Sequence, residues 1–144
     1  MNLQNNKAFS LIEVIFAIAI ISIIAMVAIP KLGSSLDKAN IIKIKSDIML
    51  IRNGLVEYKN KMTLSQQTDI LNSLENSSDI LFDKILTNPI IASAESKSTA
   101  WSKVSDTTYK VWLTTEENLI FTYNSDEYSF DCDNTISYCQ ELTQ

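Results

Sequence analysis

Residues 14–29 read VIFAIAIISIIAMVAI, sixteen residues without a charge. With Phe9–Ile12 added, the apolar run covers 21 residues, interrupted by Glu13 and two serines. About 20 apolar residues cross a bilayer as a helix. A helix that is apolar all round has to be buried, in lipid or among other helices. This segment therefore constrains the chain more than any other. Lys7 precedes it, which by the positive-inside rule puts the N-terminus in the cytoplasm and the remainder across the membrane. Lys31 and Lys38 follow it and weaken that asymmetry.

Three readings of the run compete. A cleaved secretory signal has an apolar stretch of about 7–15 residues and small residues before the cut. This run is longer, and cleavage after Ala28 would put Met26 at the third position before it. A plain signal anchor explains the length but leaves Glu13 without a purpose. A charged residue costs about 2.5–3.5 kcal/mol at the bilayer centre, and less near a helix end where it snorkels. The third reading gives Glu13 a partner. Cleavage between Ala8 and Phe9 frees an amino group on Phe9 with an ordinary pKa of about 7.7–8.0. Glu13 lies four residues on, on the same helix face. Leaving either charge buried alone is costly. In a stack of such helices, Glu13 of one chain would neutralise the Phe9 amine of the next and set axial register.

The stretch KAFSLIEV, Lys7 to Val14, followed by the apolar run, resembles the N-terminal signature of type IV pilins and of the pseudopilins of type II secretion. In that family a short polar leader ends in a small residue. A prepilin peptidase cuts after it and N-methylates the new first residue. The resemblance implies a leader of Met1–Ala8, with Ala8 standing where the family usually has Gly. It implies Phe9 as the methylated residue and Glu13 as the acidic assembly position. Pro30 falls where many members carry a helix-kinking proline. The detailed match ends near residue 35; beyond that the chain shares only the family's layout. Removal of Lys7 with the leader would take the formal charge from -5 to -6 before termini are counted.

Composition narrows the chemistry. The 144 residues suit one domain, or one domain with an appendage. There is no His, which excludes Ser-His-Asp and Cys-His catalysis and most transition-metal sites. Two Gly and two Pro leave no Gly-rich phosphate loop. A net charge of -5 gives no support for nucleic acid. The only cysteines, Cys132 and Cys139, can be a free pair, half a metal site or a disulfide. A zinc site needs about four ligands, and the spacing is not the Cys-x-x-Cys of redox pairs. A disulfide is the natural reading if this part lies outside the cytoplasm. Asp126, Glu127, Asp131 and Asp133 are oxygen donors for calcium in principle, but their spacing is not an EF-hand loop.

Past the apolar run, Pro30 and Gly33 predict a kink or locally melted stretch, or a helix end with a fresh helix beyond. The resemblance favours one continuous bent helix. Ile41, Ile44, Ile48, Ile51, Leu55 and Tyr58 then recur at helical spacing, with the helix expected to end near Met62. A short helix is expected over Leu64–Glu75 and a second from Ser78 to Leu86, stopped by Asn88-Pro89. Ile90–Ser105 reads as a loop anchored by Trp101. Alternation over Thr108–Thr114, Leu119–Tyr123 and Glu127–Cys132 predicts a three-stranded antiparallel meander covering the Ile stripe. Charge is segregated: Lys31–Lys61 holds seven basic and three acidic residues, whereas Val104 onward holds one and eight. These are two solvated faces, or complementary faces of neighbouring subunits.

The expected fold is α+β: leader 1–8, a transmembrane and assembly half of a spine helix over 9–30, an amphipathic half over 31–62, and a periplasmic head over 63–144. The expected protein is a non-enzymatic structural subunit with no required cofactor. It would sit in the bacterial inner membrane and polymerise with itself or related pilins. The resemblance further implies a prepilin peptidase, an inner-membrane platform with its ATPase, and lipid as partners. The alternative is an anchored periplasmic binding module that does not polymerise.

Overall fold

The computed structural model describes residues 10–67 and 70–143; within its first helix, the side chains of residues 27–37 fall outside that description. The chain divides into two compact units, Met1–Leu36 and Asp37–Gln144. Helix α1, Leu11–Leu64, runs through both as 54 continuous helical residues. Pro30 and Gly33 neither end nor melt it, so the expectation of a separate second helix is not met.

In the second unit α1 lays Ile44, Ile48, Ile51 and Leu55 into the core, each at most 1% exposed. Ile41 and Tyr58 pack partly buried at the ends of that stripe. The covering layer is a four-stranded antiparallel sheet in the order β3-β4-β5-β6. Its strands are β3 (Trp101–Lys103), β4 (Thr108–Trp112), β5 (Asn118–Asn124) and β6 (Ser129–Cys132). Strand β5 alternates strictly, with Leu119, Phe121 and Tyr123 inward, as a one-sided sheet requires. Trp101, Tyr109, Val111 and Phe130 complete that face. Each such large side chain contributes about 1.5–3 kcal/mol on burial. Phe121 and Phe130 stack with centroids 5.1 Å apart.

The turns have local causes. Thr114 Oγ1 accepts from the N–H groups of Glu116 and Glu117, and Asn124 Oδ1 from those of Asp126 and Glu127. These are the side-chain-to-backbone bonds that favour turns over strands. The sheet's outer edges are both engaged. Arg52 Nε donates to the Phe130 carbonyl of β6 at 3.0 Å, and the Ser93 N–H to the Trp101 carbonyl of β3 at 2.8 Å. Covered edges resist pairing with foreign strands.

Four expectations are corrected. First, Leu64–Glu75 forms no helix among its described residues. Gln66 adopts a left-handed φ of 56°, and the Gln67 N–H reaches back to the Met62 carbonyl. This is a helix-terminating arrangement usually made by Gly. Second, Ser78–Leu86 is a short strand, β1 (Ile80–Leu81), followed by a turn. Strand β1 pairs with β2 (Ile90–Ile91). Asp83 accepts from both the backbone N–H and the Nδ2 of Asn76, a bond set that competes with helix. Third, the 90–105 loop contains β2 and β3, so the meander has four strands. Trp101 is buried as expected, but within a strand. Fourth, the C-terminal residues, expected as a disulfide-closed loop, form a helix, α2 (Ser137–Thr143), which buries Cys139 and Leu142.

A Cys132–Cys139 disulfide ties β6 to α2 with Cα atoms 5.8 Å apart. Asp133 Oδ1 accepts from the N–H and Oγ1 of Thr135 between the two cysteines, and those bonds hold its carboxyl below the usual aspartate range.

Gly54 sits in the middle of α1, where Gly is a poor helix former. The turn after β1 explains it. A Cβ on residue 54 would stand 2.5 Å from the Ile85 carbonyl oxygen, a backbone atom. That turn is held by bonds from the Ile85 and Leu86 N–H groups to the Phe82 carbonyl. Phe82 itself takes a left-handed φ of 63°, uncommon for a bulky residue. Its ring lies fully buried, edge-on to Trp101 and Phe130. Gly54→Ala should therefore destabilise the head by about 1–3 kcal/mol, as overpacking does, despite the better helix propensity of Ala. Thermal unfolding followed by circular dichroism checks this; a raised melting temperature would refute the close-packing account.

Candidate functional site

The expected processing and assembly residues lie at the start of the chain. Ala8 and Phe9, the proposed cleavage and methylation positions, are outside the described residues. The description begins at Ser10, whose carbonyl accepts from the N–H groups of Glu13 at 3.0 Å and Val14 at 3.2 Å. Ser10 thus stands at the helix entrance, and Glu13 lies in the first turn of α1. A carboxylate there is favoured by the helix dipole. Its side chain is exposed, with no ion pair among the described residues.

Around and beyond Glu13 the helix is apolar on every face and exposed on every face. Eleven large apolar side chains between Leu11 and Met26 are 48–80% exposed. The polar group of Ser22 is satisfied internally, its Oγ donating to the Ile18 carbonyl at 2.7 Å. Such a bond lets a serine sit in an apolar surround without an orphaned hydroxyl. The surface is far more apolar than a monomer in water keeps exposed. Among the described residues, however, no helix is long and apolar enough to cross a membrane. The expected transmembrane half over 9–30 extends past the described side chains at both ends. Pro30 and Gly33, expected at a kink, lie within α1 beyond those side chains.

Residues 3–29 match the family model of the prokaryotic N-terminal methylation motif. The chain carries a prepilin-type N-terminal motif. The motif spans the proposed cleavage bond, Glu13 and the whole apolar run, so the pilin-like resemblance of that region holds. The chain is also similar to the type II secretion system core protein G of Klebsiella michiganensis, 36% identical over 59 residues. That match covers 41% of this chain and 42% of the relative, so less than half of either protein is aligned. No solved structure matches the chain.

The four acids considered for calcium are not brought together. Asp131 pairs with Arg52 at 2.5 Å, tying β6 to α1, and Asp133 binds Thr135. Among the described residues no group of three or more metal-capable side chains gathers.

The head does contain a polar centre that sequence reasoning missed. Glu75 is buried, its carboxylate accepting from Lys103 Nζ at 2.8 Å, Tyr109 Oη at 2.8 Å and Ser73 Oγ at 3.1 Å. Lys103 also reaches Asp106 at 2.8 Å. The two carboxylates, Asp106 first, hold the Lys103 ammonium above its ordinary pKa. Burial, then the bond to Glu75, pushes the Tyr109 phenol well above its usual range. Burial also pushes Tyr123 up to about 12; its hydroxyl has no hydrogen-bond partner among the described residues. A buried carboxylate so satisfied cross-links the irregular 65–100 segment to the β3–β4 hairpin. It is a packing device, its carboxylate satisfied by three side chains of the head itself. The signal that pointed to it was weak: Glu75 and Lys103 are far apart in sequence, and neither falls in a motif.

All three raised groups hold their protons more tightly folded than unfolded. Their stabilisation is complete below about pH 10, where the unfolded phenols begin to ionise. It is lost as pH rises from there through about 12. Melting temperatures measured between pH 8 and 12 should fall steeply at the alkaline end. Tyr109→Phe should lower stability at pH 8 yet flatten the alkaline decline; an unchanged slope would show that Tyr109 does not contribute to it.

Proposed function

We propose that this chain is a structural subunit that polymerises into a type II secretion-like pseudopilus or a type IV pilus. It is made with the leader 1–8, held in the bacterial inner membrane with its N-terminus cytoplasmic and its head periplasmic. A prepilin peptidase cleaves the Ala8–Phe9 bond and methylates Phe9. The observation that carries the reading is the single carboxylate of Glu13 in the first turn of α1, whose stretch from Leu11 to Met26 is otherwise apolar and exposed all round. Such a surface needs cover from lipid before assembly and from other helices after it. The methylation motif over residues 3–29 supports the processing step. The similarity to a type II secretion core protein supports the secretion machine over a surface fibre.

Assembly then follows from elementary terms. Packing the apolar helices together supplies the attraction. The new Phe9 amine is one positive charge, and Glu13 of a neighbouring subunit neutralises it. A mismatched axial step leaves both charges buried and unpaired, which costs about 3–5 kcal/mol, so the pair selects the register. An inner-membrane platform and its ATPase would drive insertion of each subunit. The role is structural: it needs no catalytic group and no cofactor.

Glu13→Ala should leave the protein membrane-inserted and its head folded, but cut filament incorporation by more than about a hundredfold, given that unpaired-charge cost. Mass spectrometry of the mature chain should find methylated Phe9 at its N-terminus. An intact Met1, or normal incorporation of the Glu13 variant, would favour an anchored binding module that never polymerises. The segregated charges supply a second check. If acidic heads contact basic helix faces of neighbours, incorporation should fall as salt rises from about 0.05 to 0.5 M. Salt-independent filaments would remove that contribution.

A further inference from the structure

We propose that the groove between α1 and the turn at residues 84–88 is a binding site for a small zwitterionic anion with two carboxylates and one ammonium, the class of acidic amino acids. The groove lies wholly within the head and is independent of whether the chain polymerises.

Two cavities of about 220 and about 230 Å³ adjoin here and share Gly54, Glu57, Ile85, Leu86 and Thr87. One wall is α1. Gly54, Glu57, Tyr58 and Lys61 stand at the three- and four-residue spacing of a single helix face. The other wall is the turn that begins at Lys84. Asn53 and Asn88 line the far end. Tyr58, Ile85 and Leu86 pack against the core, so both walls are anchored to it. The Ile85 carbonyl rests against Gly54, where no side chain intervenes, and this close approach sets the depth of the groove. Each cavity is smaller than the about 300–1,000 Å³ that holds a drug-sized ligand. That size suits a molecule on the scale of an amino acid.

Three charged side chains line the groove: Glu57, Lys61 and Lys84. Glu57 precedes Lys61 by four residues, the order and spacing at which such groups ordinarily pair on a helix. Yet none of the three forms an ion pair among the described residues. Lys84 is nonetheless held in place. Its backbone N–H donates to the Leu74 carbonyl and its Nζ to the Ser73 carbonyl, each at 3.2 Å. An ammonium has three donors, so two remain for a ligand.

The groove thus offers two positive groups and one negative, on a chain whose net charge is -5. Charge complementarity selects the ligand. Carboxylates at Lys61 and Lys84 and an ammonium at Glu57 satisfy all three groups. Asn53, Thr87 and Asn88 supply neutral donors and acceptors for the remainder. An anion without an ammonium meets the like charge of Glu57, and such a repulsive element discriminates between ligands. A ligand held by both walls binds only the folded head and therefore stabilises it.

The test uses the full-length chain in detergent micelles with L-glutamate as the probe, read by isothermal titration and by melting of the head. Glutamate should bind saturably and raise the melting temperature. Lys61→Gln and Lys84→Gln should each weaken it at least about tenfold, the loss of one charge-assisted bond. Lys97→Gln, outside the groove, should bind as the wild type does. Glu57→Gln should weaken glutamate and tighten glutarate, which has both carboxylates but no ammonium. Without ligand the variants should melt as the wild type does, so that a lost shift reports lost binding. Absence of saturable glutamate binding overturns the proposal, as does an equal loss in the Lys97 variant. Inorganic phosphate binding as tightly as glutamate, with Glu57→Gln without effect, would reveal a bare anion site and overturn the assigned ligand class.

Discussion

Everything in the head depends on the contact between one stripe of α1 and one face of the sheet. Ile44, Ile48, Ile51 and Leu55 give the helix a fully apolar side, and Trp101, Tyr109, Phe121 and Phe130 give the sheet a large aromatic one. Neither surface is stable in water alone. An isolated small sheet is marginal, and a helix gains most of its tertiary stability from its packed face. Joined, they form the single core onto which the remaining segments fold. Arg52 and Asp47 fasten its sides: Arg52 reaches the Phe130 carbonyl and Asp131, and Asp47 accepts from Trp101 Nε1 at 3.1 Å.

The periodic pattern of α1 changes along its length. Over Leu11–Met26 it is apolar all round; over Ile41–Tyr58 it separates into a buried stripe, an uncharged outer stripe and basic flanks. The head keeps its fold by burying one stripe and leaves the others exposed. Glu13 makes no ion pair within the described residues, and its place in the first turn is favoured by the helix dipole.

Much of the helical half was legible in sequence. Three- and four-residue spacing identified α1 and its buried face, and its end fell at Leu64 against the expected Met62. Two-residue alternation identified β4, β5 and β6, and the Thr114 and Asn124 turns stood where polar residues interrupted it. The cysteine pair was legible as a disulfide because no further Cys or His exists to complete a zinc site. The segment from Leu64 to Ser105 was misread for a common reason. Its apolar residues Leu71, Leu74, Leu81 and Phe82 suit a helix by spacing, yet side-chain bonds such as Asn76–Asp83 give the backbone another solution. Strands as short as β1 and β3 carry too few residues to show alternation.

By itself the sequence determined the N-terminal motif, the spine helix with its core-facing stripe, and the meander's last three strands, because each is written in local periodicity or fixed spacing. Tertiary structure alone decided what crosses long distances in the chain. It paired β1 with β2, added β3 to the sheet edge, and buried Glu75 against Lys103 and Tyr109. It also gave Gly54 its reason, a carbonyl from a distant turn resting where a side chain would stand. Periodicity reports which face of an element seeks burial. It does not report which distant segment covers that face, since that depends on the summed fit of groups that meet only once the chain has folded.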